Sequence, residues 1–198
     1  RYELTPVQAG GDGQTADVIS LMRRYAVEDS AAPIIRQQAQ ALRVQAQAQG
    51  LSPIEAAYWW VKNRLRFVRD EQTSVPVRGV EGLGSDDVIV ETLIRPADMA
   101  TLPDGSRVGD CDDFSMYLAS LLTALGYEAS FATIAADEGS DDYSHVYVVV
   151  RDNGKRIPLD ASHGGYPGWE APEAGRGARY REWPVTGGVS PWGVVILL

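Results

Sequence analysis

The chain has 198 residues, of which 44% are hydrophobic and 23% charged, as is typical of a globular protein with one sizeable core. Its formal net charge of −9 disfavours binding to nucleic acid or to an anionic membrane, and no apolar stretch approaches the roughly 20 residues that span a bilayer. One cysteine excludes an internal disulfide and a zinc site of several cysteines. We expect a single domain over residues 1–198. Because no signal-like segment follows Arg1, we expect it in the cytoplasm of a bacterial or phage-infected cell.

The first region, residues 1–70, has the pattern of helices. Apolar residues recur with a period near 3.6 over residues 15–28, and an Ala- and Gln-rich segment follows over residues 30–49. A third helix is predicted to begin at Ser52, which forms the sequence pattern of a capping box with Glu55. We expect this helix to continue to about Val68.

The second region, residues 71–107, is predicted to be a loop-rich connection. A short helix is expected to begin near residues 85–87. Long ordered connections of this kind often build binding sites. Proline and glycine punctuate the region at Pro76, Gly79, Gly82, Gly84, Pro96, Pro103 and Gly105.

The third region, residues 108–198, changes from a helical to a strand-like pattern. A helix is predicted from Cys111 to Gly126, and strands follow over residues 129–134 and 145–150. The Asn153-Gly154 pair favours a type I′ hairpin turn, with a return strand over residues 156–160. A last apolar run, residues 194–198, is expected to join the sheet. The sequence therefore predicts an α+β fold: a helical N-terminal region and a catalytic helix packed on an antiparallel sheet.

The single cysteine lies where this last helix begins. Asp110 is its predicted N-cap, and the backbone N–H groups of a helix start lower a thiol pKa. Residues 111, 114, 115 and 118 share one helix face, which we expect to pack on the sheet. Asp112 and Asp113 suit the helix dipole but raise the thiol pKa, so a nearby imidazolium would have to stabilise the thiolate. Asp113 is also expected to bond back to the Asp110 backbone.

A two-residue turn at Asn153-Gly154 fixes the hairpin register. Residue Tyr147 would then lie opposite Asp160, which makes Asp160 the diagonal neighbour of His145 on one sheet face. His163 would fall on the opposite face. A helix-start cysteine beside a histidine and a carboxylate supplies a thiol nucleophile, its base and the group that orients the base.

Four segments together resemble a known family. They are RLRFVRDEQ, GDCDDFSMYLASLLTALGYEA, SHVYVVV and IPLDAS. Their order, with a helix after the cysteine and a strand after the histidine, resembles the bacterial and phage members of the transglutaminase-like superfamily of papain-like cysteine enzymes. The resemblance covers residues 56–162. It implies a papain-like fold and acyl transfer through a thioester, with Cys111 as nucleophile, His145 as base and Asp160 as orienting acid.

Members of this superfamily include transamidating enzymes, peptidases, deamidases and catalytically inactive binding domains. Many have a tryptophan soon after the histidine, where this chain has Val146 and Tyr147. We therefore expect a peptidase or amidase, with a transglutaminase as the alternative if an amine replaces water as the acceptor, acting on a protein or peptide without a cofactor or a metal. The Cys111 N–H is the expected first oxyanion donor. The sequence indicates neither a second donor nor an oligomeric state.

Two other readings stay open at this point. The chain could be an inactive binding or structural module of a phage or bacterial assembly, or Cys111, His145 and aspartates could hold a metal ion. The acidic run over residues 137–142 lacks the spacing of an EF-hand and is read as a solvated loop. Its place just before His145 suggests instead a rim that favours basic substrates.

Overall fold

The computed structural model describes residues 11–69, 92–137, 142–171 and 179–186. Within these residues the fold is α+β, with helices packed on an antiparallel sheet, as the sequence predicts. Most of the 71–107 connection, the expected helix near residues 85–87 and the expected strand at 194–198 lie outside the described residues. The division into three regions stays a prediction. No helix in the described part of the chain is long and apolar enough to cross a membrane.

The central element is a buried helix that the other helices surround. Its side chains are buried from Asp113 through Leu122, because it packs on the sheet as well as on the other helices. The helices are α1 (Gly11–Ser30), α2 (Pro33–Gln49), α3 (Pro53–Arg64), α4 (Pro96–Thr101) and the central α5 (Cys111–Leu125).

The predicted capping box of α3 is confirmed. The Ser52 hydroxyl accepts a hydrogen bond from the Glu55 N–H, and the Glu55 carboxylate accepts one from the Ser52 N–H at 2.8 Å. The prediction that α3 continues to Val68 is wrong. Backbone atoms of residues 66–68 pair instead with the segment before α5, so the helix ends at Arg64. The pairing strands are β1 (Arg66–Phe67) and β2 (Val108–Gly109), which are parallel.

The main sheet has four antiparallel strands in the order β5-β4-β3-β6. They are β3 (Glu128–Ile134), β4 (His145–Asp152), β5 (Lys155–Leu159) and β6 (Tyr180–Pro184). The predicted turn is confirmed: Asn153 and Gly154 both have positive φ, 50° and 78°, and Val148 lies opposite Leu159. The sequence analysis missed β6, which follows a loop-like segment and pairs with β3.

The two faces of the sheet pack against different parts of the chain. Val146, Val148 and Val150 of β4 belong to the core shared with the helices. Tyr147 and Val149 alternate with them and pack with the segment that follows β5. Strand β4 begins at His145, so this histidine lies at the end of the sheet.

Candidate active site

Cys111 is the first residue of α5; as the one cysteine of the chain it forms no internal disulfide, and it is partly buried. The predicted N-cap is confirmed, because Asp110 Oδ1 accepts a hydrogen bond from the Asp112 N–H at 3.0 Å. The cysteine thiol donates to Asp112 Oδ1 at 3.7 Å. The sulfur therefore lies within 4.8 Å of a carboxylate oxygen of both Asp110 and Asp112, two acids that the sequence places beside it.

Asp113 is bonded to the segment that precedes α4. Its Oδ1 accepts a hydrogen bond from the Ile94 N–H at 2.8 Å, and the expected bond to the Asp110 backbone stays a prediction. The buried Asp113 side chain also occupies the space over Gly109, where an added Cβ would lie 2.4 Å from Asp113 Oδ2. Glycine at this position lets β2 pass close to the start of α5.

Helix α5 is anchored to β4 near the site. Ser115, one turn after Cys111, donates a hydrogen bond from Oγ to the Val146 carbonyl oxygen at 3.2 Å. Val146 directly follows His145 in the chain. The face predicted to pack on the sheet is confirmed by this contact, which relates the cysteine to the histidine across two elements.

His145 and Asp160 form a hydrogen-bonded pair. The distance from His145 Nε2 to Asp160 Oδ2 is 2.7 Å, the histidine side chain is 9% exposed and the aspartate is fully buried. Because a carboxylate can only accept a hydrogen bond, Nε2 carries the proton of this bond. Nδ1 is then the ring nitrogen that can accept a proton from another group. The hairpin argument correctly brings these two residues together, although β5 ends one residue before Asp160.

Asp160 accepts three hydrogen bonds in all within the described residues. Its Oδ1 receives the Ser162 hydroxyl at 2.9 Å and the His163 N–H at 2.8 Å, besides the bond from His145. Burial raises the pKa of the Asp160 carboxyl, but the hydrogen bond and charge of His145 and these two donors outweigh it. The net pKa lies below its ordinary value, so the carboxylate stays ionised beside the imidazole.

Tyr58 of α3 contacts the turn that follows Asp160 from the side of the core. Its hydroxyl lies 2.8 Å from the Gly164 carbonyl oxygen and 3.3 Å from that of Asp160. Burial first, and then the Asp160 charge, raise the pKa of Tyr58 to about 12, so it remains a donor. Sequence reasoning missed this residue because nothing local links a helix tyrosine to a turn 102 residues later.

The prediction that His163 points away from the site is wrong. Strand pairing stops at Leu159, and the chain turns back over residues 161–163. The His163 ring consequently lies edge-on to His145 at 4.8 Å and to Phe67 at 5.0 Å, between ring centres. Burial and, next, the charge of His145 lower the pKa of His163.

A cavity of about 380 Å³ joins the cysteine to the histidine. Cys111 and His145 both line it, and one wall comes from the start of α1, which the sequence analysis did not connect with the site. Helix α1 reaches this position by packing on α5. The other lining residues are Gly11, Gln14, Thr15, Val18, Ile19, Asp110, Asp112, Thr133, Asp142, Tyr143, Ser144 and Val146.

Two groups of possible metal ligands surround the site. One is His145, Asp160 and His163, and the other is Asp110, Cys111 and Asp112, with ligand atoms within 4.8 Å of one another in each group. Among the described residues no such group contains both Cys111 and His145, which a shared cysteine–histidine metal site would need. In the first group His145 and Asp160 already bond to each other.

No model of a known protein family matches the chain, and no curated protein matches it. Among solved structures the chain is similar to one described as "a Putative Cysteine Protease from Cytophaga hutchinsonii", with 16% sequence identity and a TM-score of 0.38. The likeness covers 72% of this chain and 47% of that one, so the chain spans about half the length of the structure it matches. A likeness of this size leaves the function to be inferred from the site.

Proposed function

We propose that the protein is a cysteine-dependent acyl-transfer enzyme that acts on amide bonds, in a papain-like fold of the transglutaminase-like type. Cys111 is the nucleophile, His145 the base and later the acid, and Asp160 the group that holds the imidazole. The observation that carries the proposal is the 2.7 Å bond from His145 Nε2 to the buried Asp160, with the histidine and Cys111 lining one cavity.

The bond to Asp160 determines which nitrogen of His145 accepts the thiol proton. With Nε2 donating to the carboxylate, His145 Nδ1 is the nitrogen that accepts the thiol proton. The Cys111 sulfur then attacks the substrate carbonyl carbon, and Nδ1 returns the proton to the departing amine, which leaves a thioester. Water, deprotonated by the same nitrogen, cleaves the thioester and restores the thiol.

The oxyanion of the tetrahedral intermediate needs donors near Cys111. Cys111 opens α5, and the N–H groups of a first helical turn have no acceptor within their own helix. Asp110 accepts the Asp112 N–H, and we propose the Cys111 N–H, at the start of the same turn, as the first donor. We propose water rather than an amine as the acyl acceptor, so that the enzyme is a peptidase or amidase and its substrate a protein or peptide.

Alkylation of Cys111 tests the proposal before a substrate is known. The rate of reaction with iodoacetamide is measured against pH by intact mass, and one cysteine makes the site of reaction unambiguous. The wild type should react well below the free-thiol pKa of about 8.5, because the imidazolium of His145 stabilises the thiolate. His145→Gln keeps an amide that donates to Asp160 but removes the base. We expect its rate at pH 6 to fall about tenfold or more.

His163→Ala is the matched control, since the chain contains only two histidines. We expect its rate to stay within about threefold of the wild type, because His163 touches the His145 ring but bonds to neither Cys111 nor the Asp160 carboxylate through its side chain. If wild type and His145→Gln react alike, and only at high pH, no thiolate–imidazolium pair exists. The chain would then be better explained as an inactive binding module.

A further inference from the structure

We infer that Ser162 is a positioning residue of the site, whose hydroxyl holds the Asp160 carboxylate in the orientation that presents Oδ2 to His145. The inference rests on the proposed function and adds a residue to it. It comes from a row of three side chains that begins at the other carboxylate oxygen. Ser162 Oγ lies 2.9 Å from Asp160 Oδ1 and 2.9 Å from His163 Nδ1.

The direction of each hydrogen bond in this row follows from counting protons. A hydroxyl carries one proton, and an ionised carboxylate carries none. The lowered pKa of Asp160 keeps it ionised, so the Ser162 proton must point at Oδ1. Otherwise two acceptor oxygens would face each other at 2.9 Å. His163 Nδ1 must then donate its own proton to Ser162 Oγ.

This arrangement assigns one tautomer to His163. Burial and the charge of His145 lower the pKa of His163, so its ring is neutral at about pH 7.5. A neutral imidazole carries a single proton, which here lies on Nδ1, whereas Nε2 is the commoner position for a histidine in water. The His163 ring therefore reports the direction of the Ser162 hydroxyl without itself bonding to the carboxylate.

The Asp160 carboxylate needs such a restraint because its last torsion is soft. Rotation about the Cβ–Cγ bond of an aspartate has broad minima, so the rotamer alone does not fix where Oδ2 points. Two donors hold Oδ1, the Ser162 hydroxyl and the His163 N–H. With Oδ1 held, Oδ2 faces His145 Nε2 at 2.7 Å. Of these two donors, only the hydroxyl belongs to a side chain that a substitution removes.

Positioning and electrostatics predict opposite results when this hydroxyl is lost. A donor on Oδ1 also withdraws negative charge from the carboxylate, and its removal would strengthen the attraction to the His145 imidazolium. A residue that only withdrew charge would therefore speed alkylation of Cys111 at low pH when it is replaced. Replacing a residue that positions the carboxylate slows alkylation, because the imidazole takes its working orientation less often.

Iodoacetamide alkylation of the whole protein at pH 6 measures this sign. We expect Ser162→Ala to react about three- to tenfold more slowly than the wild type, and Ser162→Thr, which keeps a hydroxyl, to stay within about twofold. Ser106→Ala is the matched control, because the Ser106 hydroxyl donates to the Pro103 carbonyl oxygen at 2.8 Å in an exposed turn. A Ser162→Ala rate equal to or above that of the wild type would overturn the inference.

Nitrogen-15 NMR of the imidazoles gives a second readout that a general loss of packing would not reproduce. The chain has two histidines, so the signals that persist in His145→Gln are those of His163. We expect the His163 proton on Nδ1 in the wild type and in Ser162→Thr, and on Nε2 in Ser162→Ala. A proton on Nε2 in the wild type would also overturn the inference, because the Ser162 hydroxyl would then point at the ring.

The same measurements separate failure of this inference from failure of the proposed function. If the wild type and His145→Gln are alkylated alike, the proposed function fails, whatever the tautomer of His163. If His145→Gln slows alkylation and Ser162→Ala does not, the thiolate–imidazolium pair stands and only the role of Ser162 is wrong.

Discussion

Ser115 and Val146 join the helix that carries the cysteine to the strand that begins with the histidine. The Ser115 hydroxyl donates to the Val146 carbonyl oxygen at 3.2 Å, and the serine is buried. The bond lies one helical turn from Cys111 and one residue from His145. It therefore constrains the distance between the proposed nucleophile and its base through two short lengths of chain.

Replacing Ser115 with alanine should loosen this junction. We expect a loss of about 1 kcal/mol in the free energy of unfolding, the usual contribution of one buried hydrogen bond. We also expect the alkylation rate of Cys111 at pH 6 to fall about three- to tenfold, because the thiol and imidazole hold their geometry less often. Urea unfolding and intact-mass alkylation measure the two effects.

Ser120→Ala is the control for Ser115→Ala. It distinguishes the loss of the Ser115–Val146 bond from the general effect of removing a buried hydroxyl. Ser120 is fully buried on the same helix, and its Oγ has no hydrogen-bond partner among the described residues. This variant should be neutral or slightly more stable, with unchanged alkylation. If both variants lose the same reactivity, the Ser115 bond does not position the site.

The pair of His145 and Asp160 should make stability depend on pH. The folded-state pKa of Asp160 lies below 3.8, chiefly because the bond and charge of His145 outweigh the effect of burial. The stability from this group is thus complete above about pH 4 and is lost as pH falls through the folded pKa. In His145→Ala the Asp160 carboxyl stays buried but loses the bond and charge of His145, so its pKa rises. We expect the variant to lose about 3–5 kcal/mol at pH 7.

The pH profile identifies the cause of that loss. The difference between His145→Ala and the wild type should shrink as pH falls from 7 towards 4, because protonation neutralises the unpaired carboxylate. Urea unfolding at several pH values measures it. Adding Asp160→Asn to His145→Ala should recover part of the stability at pH 7. A difference that is independent of pH would mean that the cost is packing alone.

Much of the site could be predicted because its sequence signals are local. The N-cap at Asp110 and the Asn153-Gly154 turn each depend on a few neighbouring residues, and the turn alone sets the register that brings His145 to Asp160. The misplacement of His163 has a physical reason. A register argument holds only while the strand continues, and β5 ends at Leu159.

Other parts of the site depend on contacts between distant segments. The wall from α1, the Tyr58 hydroxyl and strand β6 all reach the site or its sheet through packing that no periodicity encodes. The end of α3 shows how such a contact overrides local preference. Residues after Arg64 continue an apolar pattern, yet the N–H groups of Arg66 and Val68 donate to the carbonyl oxygens of Arg107 and Gly109 instead of continuing the helix.

Tyr58→Phe should weaken the packing of the turn that follows Asp160. It removes a buried hydroxyl that serves the carbonyl oxygens of Gly164 and Asp160, and we expect a loss of about 1–2 kcal/mol in unfolding free energy. The alkylation rate of Cys111 at pH 6 should also fall, about threefold. Tyr117→Phe is the control, because Tyr117 is equally buried but its hydroxyl bonds to Gln38. It should lose similar stability without a change in alkylation.

Gly164 and Gly165 offer a test of how closely the turn after Asp160 is packed. A Cβ on Gly164 would lie 2.5 Å from the Asp160 carbonyl oxygen and 3.0 Å from the Trp169 ring, whereas one on Gly165 would meet nothing within 4 Å. Overpacking of this kind costs about 1–3 kcal/mol, and here it acts on the backbone of Asp160, the proposed orienting carboxylate. Gly164→Ala should therefore lower both the stability and the pH 6 alkylation rate, while Gly165→Ala should leave both nearly unchanged. Equal reactivity of the two variants would show that the position of Asp160 does not control the imidazole.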